Sequence, residues 1–329
     1  MKSVAFFNNK GGVGKTTLIC NLAAFAAQQK SQRILLVDAD PQCNATQYMF
    51  DEKHINHLYN ETKTHTLYST VSPLAKGKGF SKDTKIHYSP NFGFDVIAGD
   101  PRLALTEDLL ARDWSSAISG DIRGIRTSIL FHELIQRYKE DYDFVFFDVG
   151  PSLGSINRAV LLASDYFISP MSTDIFSLKA IENIAAWFAD WLKKWEDIIQ
   201  KTDFDEDDLP VSLPSDLIFS GYVVQQYIAK TDKDGKRRAV RAYDDILKKI
   251  DKTIKNNFTG DMGINVQSEN LSLGEIQNLH SLIPLSQTSR KPIFNLSSRD
   301  GIVGAHFGRV KESIGIFSTI FENFERNLV

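Results

Sequence analysis

Residues 8–17 of this 329-residue chain read Asn8-Asn9-Lys10-Gly11-Gly12-Val13-Gly14-Lys15-Thr16-Thr17. Glycines at 11, 12 and 14 let the backbone turn so that its N–H groups converge, which is how a chain grips phosphate oxygens. Lys15 supplies a cation in reach of β- and γ-phosphates, and the Thr16 hydroxyl can ligate Mg2+. The apolar run Val4–Phe7 before the loop predicts a short buried strand. After it, Leu18, Leu22 and Phe25 recur at helical spacing and predict a helix from Leu18 to Gln29. Strand, glycine loop and helix form the setting a phosphate-binding loop needs, because the helix N-terminus adds partial positive charge. The usual G-x-x-x-x-G-K-[ST] pattern is not met. Asn9 stands at its first glycine position, and a second lysine, Lys10, opens the loop.

Two further apolar runs end in acids. Arg33–Val37 leads into Asp38-Ala39-Asp40-Pro41-Gln42, and Tyr142–Phe147 into Asp148. Open parallel sheets place ligand-binding groups at strand C-termini, so these carboxylates are site candidates. The same residues also serve as turn or cap residues, and the acids alone do not decide between the two.

The run Lys10 to Thr17 (K-G-G-V-G-K-T-T) resembles the deviant Walker A box of the ParA/MinD family of ATPases. The resemblance continues in Asp38–Gln42 (D-A-D-P-Q) and in Asp148–Gly154 (D-V-G-P-S-L-G), where Gly150 replaces a proline of the family turn. It implies that Lys10 crosses a dimer interface to phosphates held by the other subunit, that Asp40 positions or activates the attacking water, and that Asp148 holds Mg2+ through water. Lys10, Gly11, Gly12, Val13, Gly14, Lys15, Thr16, Thr17, Asp38 and Asp148 form the expected nucleotide-binding set, with Lys10, Lys15 and Asp40 catalytic. ATP and Mg2+ are the implied cofactors. Gly150 loosens the turn and with it the placement of the water. The resemblance is weak over 51–90, over 193–214 and beyond 252.

Strands alternate with helical segments. Phe94–Asp100, Tyr166–Pro170, Leu217–Val224 and Leu282–Pro284 read as further strands, and Asp174–Ala180 as the opening of a helix. The expected fold is α/β, a doubly wound and mainly parallel sheet flanked by helices. One domain over 1–329 is expected, with inserted surface segments near 51–90 and 196–214. Hydrophobic residues are 42% and charged residues 24%, so a core can form without staples. A net charge of −3 excludes a globally basic, histone-like binder but not a local patch. Two cysteines, Cys20 and Cys43, suit a reducing cytoplasm. They also set aside the iron–sulfur relatives of this loop, which need cysteines farther along the chain. Val4–Phe7 is too short for a signal peptide.

Residues 230–255 hold ten Lys and Arg against five Asp, with Lys236, Arg237, Arg238 and Arg241 at the centre. The resemblance implies non-specific DNA binding by such residues; where the family often has a basic residue after Ile-Pro, Leu285 stands here, and Arg290 is the candidate that compensates. A solvated helix face is the competing reading. Trp187, Trp191 and Trp195 share one helix face, which packs into the core more often than it meets a partner. Ile314, Phe317, Phe321, Phe324 and Leu328 form an amphipathic pattern whose polar face is acidic, which favours packing on the sheet over a lipid surface. His54, His57 and His65 lack metal-ligand spacing.

The resemblance thus implies an ATP-dependent homodimer that binds DNA, works with a ParB-like adaptor and moves a plasmid, chromosome or other cargo. It would be cytoplasmic and nucleoid-associated when ATP-bound. A MinD-like membrane switch and a non-catalytic ATP-dependent binding module are the alternatives.

Overall fold

The structure, a computed structural model, describes residues 1–328 except 61–64, 79–80, 82, 204–207, 210, 215, 228, 232–236, 240, 259–263, 267–268, 278 and 280. At 60, 226–227, 229–231, 237–239, 241–245 and 247–248 only the backbone is described.

The first half runs β1 (Lys2–Phe6), α1 (Lys15–Lys30), β2 (Ile34–Asp38), α2 (Asn44–Met49), α3 (Glu52–Asn60), α4 (Leu67–Val71), β3 (His87–Ser89) and β4 (Phe94–Ile97). Then come α5 (Glu107–Ile118), α6 (Ile122–Ser128), α7 (Leu130–Arg137), β5 (Phe144–Asp148), α8 (Ser155–Ala163), β6 (Tyr166–Ser172) and α9 (Ile175–Lys201). The remainder is β7 (Ile218–Tyr227), β8 (Ala229–Thr231), β9 (Arg237–Ala239), α10 (Arg241–Phe258), β10 (Ser272–Gln277), α11 (Leu282–Ser289) and α12 (His306–Arg326).

Eight strands form one sheet in the order β10-β7-β6-β1-β5-β2-β4-β3. Neighbours are parallel except β3, which pairs antiparallel with β4 at the edge. β2 and β5 are buried along their whole length, because helices cover both faces. The period of two sorts each strand between two cores. Ala5, Leu35, Val37, Val145 and Phe147 face one core with Trp114, Phe131 and Phe188. Val4, Phe6, Ile34, Leu36, Phe144 and Phe146 face the other with Leu18, Leu22 and Phe321. Central strands connected through flanking helices make this the doubly wound, mainly parallel sheet that the sequence predicts.

The tryptophan stripe is core. Trp191 and Trp195 are buried, and Trp187 packs on Phe7 and Trp191. The C-terminal pattern also packs inward: Phe321 and Phe324 stand against Phe144, and Phe324 against Phe146.

One expected strand is overturned. Leu282-Ile283-Pro284 opens α11 instead. Proline there costs little, since N–H groups in the first helical turn have no intrahelical partner. The last sheet strand is β10, whose Ser-Leu-Gly-Glu-Ile-Gln lacks an apolar run and so goes unnoticed. The segment 51–90 also differs from a plain surface insertion: Leu58, Leu67 and Val71 are buried, and residues 87–89 complete the sheet edge. In the segment 196–214, α9 continues to Lys201 with Ile198 buried.

Candidate nucleotide-binding site

Parallel pairing brings the C-terminal ends of β1, β2, β5, β6 and β7 to one edge of the sheet. Phe6 and Asp38 both lie in register with Asp148. The loop after β1 therefore rises directly over two carboxylates that are 110 residues apart in sequence. Gly12 and Gly14 take left-handed backbone conformations, φ 72° and 79°, which only glycine adopts without strain. Gly14 is the N-cap of α1, so Lys15, Thr16 and Thr17 form its first turn and its unpaired N–H groups face the cleft.

The cleft measures about 680 Å³ and is lined by the loop from Gly11 to Thr17, by Asp40, Gln42, Asn44, Gln47 and Tyr48, and by Pro151 and Gln287. Lys15 is buried and its Nζ donates to the carbonyl of Asn8 at 3.2 Å. Burial pulls its pKa below the ordinary lysine value, against the attraction of Asp148 and Asp40. Such an ammonium gains most from a ligand bearing negative charge.

Beneath the loop, Thr16 Oγ1 donates to Asp148 Oδ2 at 2.7 Å. Asp38 Oδ2 accepts from the backbone N–H and hydroxyl of Thr46, at 2.8 and 2.6 Å. The other oxygens, Asp38 Oδ1 and Asp148 Oδ1, are buried with no hydrogen-bond partner among the described residues. Burial raises both carboxyl groups, Asp38 to about 7 and Asp148 well above its usual range; the nearby Asp40 charge raises both further, and Asp38 also raises Asp148. Two orphaned acidic oxygens next to a threonine hydroxyl fit a hard divalent cation, and Mg2+ takes one or two carboxylates together with phosphates and water. Asp40 lines the cleft, with Oδ1 accepting from the Gln42 N–H at 2.9 Å.

Side-chain hydrogen bonds hold the turn at Gly150. Asn157 Nδ2 donates to the carbonyls of Gly150 and Ser152, at 2.8 and 2.6 Å. Glu107 accepts from the N–H groups of Ser155 and Ile156 at the start of α8. Side-chain hydrogen bonds thus hold the loop beside Asp40 where the family uses proline.

Lys10 is not in the cleft. Its Nζ donates to Ser172 Oγ at 2.8 Å and pairs with the Asp174 carboxylate. Asp174 also caps α9 through the Ser177 N–H. Despite partial burial, hydrogen bonds from Lys10 and Ser172 hold Asp174 below the usual carboxylate range. Ser172 and the role of Asp174 go unseen in the sequence reading, as do Tyr48, Gln287 and Asn157. The end of β6 followed by a helix N-cap is the one local signal for Asp174.

The expected basic surface is only partly visible. Lys236 lies outside the described residues, and Arg237, Arg238 and Arg241 are described in backbone alone. Arg290 does not line the cleft. It adopts φ 49°, and its Nε donates to the Phe50 carbonyl at 2.8 Å. His54 stacks on Phe50, and no group of three or more metal-ligating residues occurs among the described residues.

Fold and site define a deviant phosphate-loop protein. The family described as "AAA domain" matches residues 1–201. A virulence plasmid ParA family protein of Chlamydia psittaci is 30% identical over 184 residues, 56% of this chain and 62% of that protein. The chain thus spans about three fifths of the length of the curated relatives it matches. Protein DIP2308 of Corynebacterium diphtheriae, a solved structure, is 31% identical with a TM-score of 0.70, covering 88% of this chain and 97% of that one. A plasmid partition protein of Borrelia burgdorferi bound to AMPPNP shares the fold at 18% identity and a TM-score of 0.61, covering 99% of each chain. The chain belongs to the AAA-domain family.

Proposed function

We propose that this chain is an ATP-hydrolysing switch that pairs with a second copy when ATP is bound, binds DNA without sequence preference in that state, and is reset by hydrolysis. The observation that carries this reading is the division of labour between two lysines of one loop. Lys15 lies in the cleft of its own chain, whereas Lys10 is held outside it by Ser172 and Asp174. A cation so placed can serve phosphates presented by another subunit, as an arginine finger does.

In this reading the backbone N–H groups of residues 11–17 and Lys15 bind the phosphates. Thr16 and Asp148 would hold Mg2+, which when bound neutralises phosphate charge. Asp40 accepts a hydrogen bond from the attacking water and orients it in line with the γ-phosphate. Residues 230–255 and Arg290 would contact DNA phosphates, a charge-driven interaction that needs no base readout. An adaptor protein would raise a slow basal turnover, and the protein would act in the cytoplasm, on the nucleoid when ATP-bound. The burial of Phe317, Phe321 and Phe324 weighs against α12 as a lipid-binding helix. No described helix is long and apolar enough to cross a membrane.

The test is light scattering with ATP and Mg2+, together with an ATPase assay with and without DNA. The Asp40→Ala variant is expected to dimerise with ATP and not turn it over. A wild-type protein that stays monomeric at saturating ATP would sink the proposal.

A further inference from the structure

In β7 the valines Val223 and Val224 are followed by a glutamine, Gln225, two residues before the strand ends. Gln225 is 4% exposed, lies in register with Ser172 and does not line the cleft. Its Nε2 donates to the carbonyl of Gly14 at 3.2 Å. Its Oε1 occupies the space that a Cβ at Gly14 would need, so the amide packs against the loop at its last glycine. The same carbonyl accepts the Leu18 N–H at 2.9 Å, the first hydrogen bond of α1.

From this arrangement we infer that Gln225 is a positioning residue for the phosphate-binding loop, acting on the Gly14–Lys15 peptide. That peptide is planar and trans, so its C=O and N–H point in opposite directions. With the carbonyl fixed by Gln225 and Leu18, the Lys15 N–H is aimed out of the helix N-terminus into the cleft, at the place a bound phosphate would occupy. A hydrogen bond to the carbonyl also polarises the amide and strengthens its N–H as a donor. Gly14 sits in a left-handed conformation with few steric restraints of its own, so the loop has most to gain from an outside strut at this residue. Ser172, the register neighbour of Gln225, holds Lys10 at the other end of the loop. Two adjacent strand ends thus grip the loop at its entrance and at its exit.

The inference rests on the nucleotide reading proposed above. Its test is Gln225→Met, which keeps length and bulk and removes the donor, alongside Gln225→Leu. A fluorescent ADP analogue is titrated with Mg2+, KM and kcat are measured for ATP, and thermal unfolding is followed without nucleotide. Loss of one aimed donor should weaken nucleotide binding by about three- to tenfold in both variants. KM should rise with it, while kcat at saturating ATP stays within about twofold. The nucleotide-free unfolding midpoint of Gln225→Met should not fall, because Gly14 keeps its bond from Leu18. Wild-type affinity in both variants, whether or not they are less stable, would overturn the inference and leave Gln225 as core filling. If the wild-type protein binds no ADP analogue, the nucleotide reading itself fails and this inference falls with it.

Discussion

Lys10 and Asp174 form an ion pair outside the cleft, joining the start of the phosphate loop to the N-cap of α9. Both side chains keep partial solvent access, 29% for Lys10 and 39% for Asp174. The pair is therefore weak enough to exchange partners and strong enough to park the lysine. Phosphates carried by a second subunit would compete with Asp174 for the same ammonium.

That competition is measurable. Lys10→Ala is expected to leave nucleotide affinity within about threefold, to abolish ATP-dependent dimers in light scattering, and to lower turnover by on the order of a hundredfold or more. Asp174→Asn frees the lysine at the cost of one charge and should shift dimer formation to lower ATP concentration.

Stability should depend on pH through the buried acids. Asp38 and Asp148 keep their protons in the folded state to higher pH than in the unfolded chain, because burial raises both. Their contribution is thus fully present below about pH 4 and is lost as pH rises through their folded values, near 7 for Asp38. Between these limits the nucleotide-free protein should lose on the order of 1 kcal/mol or more, read by denaturant unfolding at pH 5 and 7.5. Asp38→Asn should flatten the dependence. An unfolding free energy that rises over this range in the wild type would contradict the assignment.

The loop beside Asp40 gives a separate readout. Asn157→Ala removes both donors that hold Gly150 and Ser152. Each lost hydrogen bond is worth about 1 kcal/mol. Hydrolysis at saturating ATP should fall by about tenfold, with nucleotide affinity changed by less than about threefold in the same titration.

Trp191 is 1% exposed, packed between Trp187 and Phe188 under the sheet. Trp191→Ala should cost about 3–5 kcal/mol by denaturant unfolding, the range for emptying a large aromatic site. A loss below about 1 kcal/mol would place this stripe outside the core.

Much of the sheet was legible because central strands here are unbroken apolar runs, as in Ile34–Val37 and Phe144–Phe147. The failures have physical causes. Leu282-Ile283-Pro284 is apolar and short, and nothing local tells a buried helix start from a strand. β10 escaped because an edge strand need not be apolar on both faces, and its Ser, Glu and Gln mask the pattern.

For the site, local sequence determined the loop itself. Glycines at 12 and 14 dictate its left-handed turns, and Lys15 and Thr16 follow at fixed spacing. The two strand-end acids were also readable, since an apolar run must stop somewhere and a carboxylic acid stops it. What only the tertiary structure decided is which groups those elements meet. Parallel register set Asp38 beside Asp148 and left one oxygen of each without a partner among the described residues. The β6 and β7 ends brought Ser172, Asp174 and Gln225 onto a loop more than 150 residues earlier in the chain. Hydrogen bonds between residues so far apart have no signature in spacing, because they depend on strand order, and strand order is fixed by packing over the whole sheet.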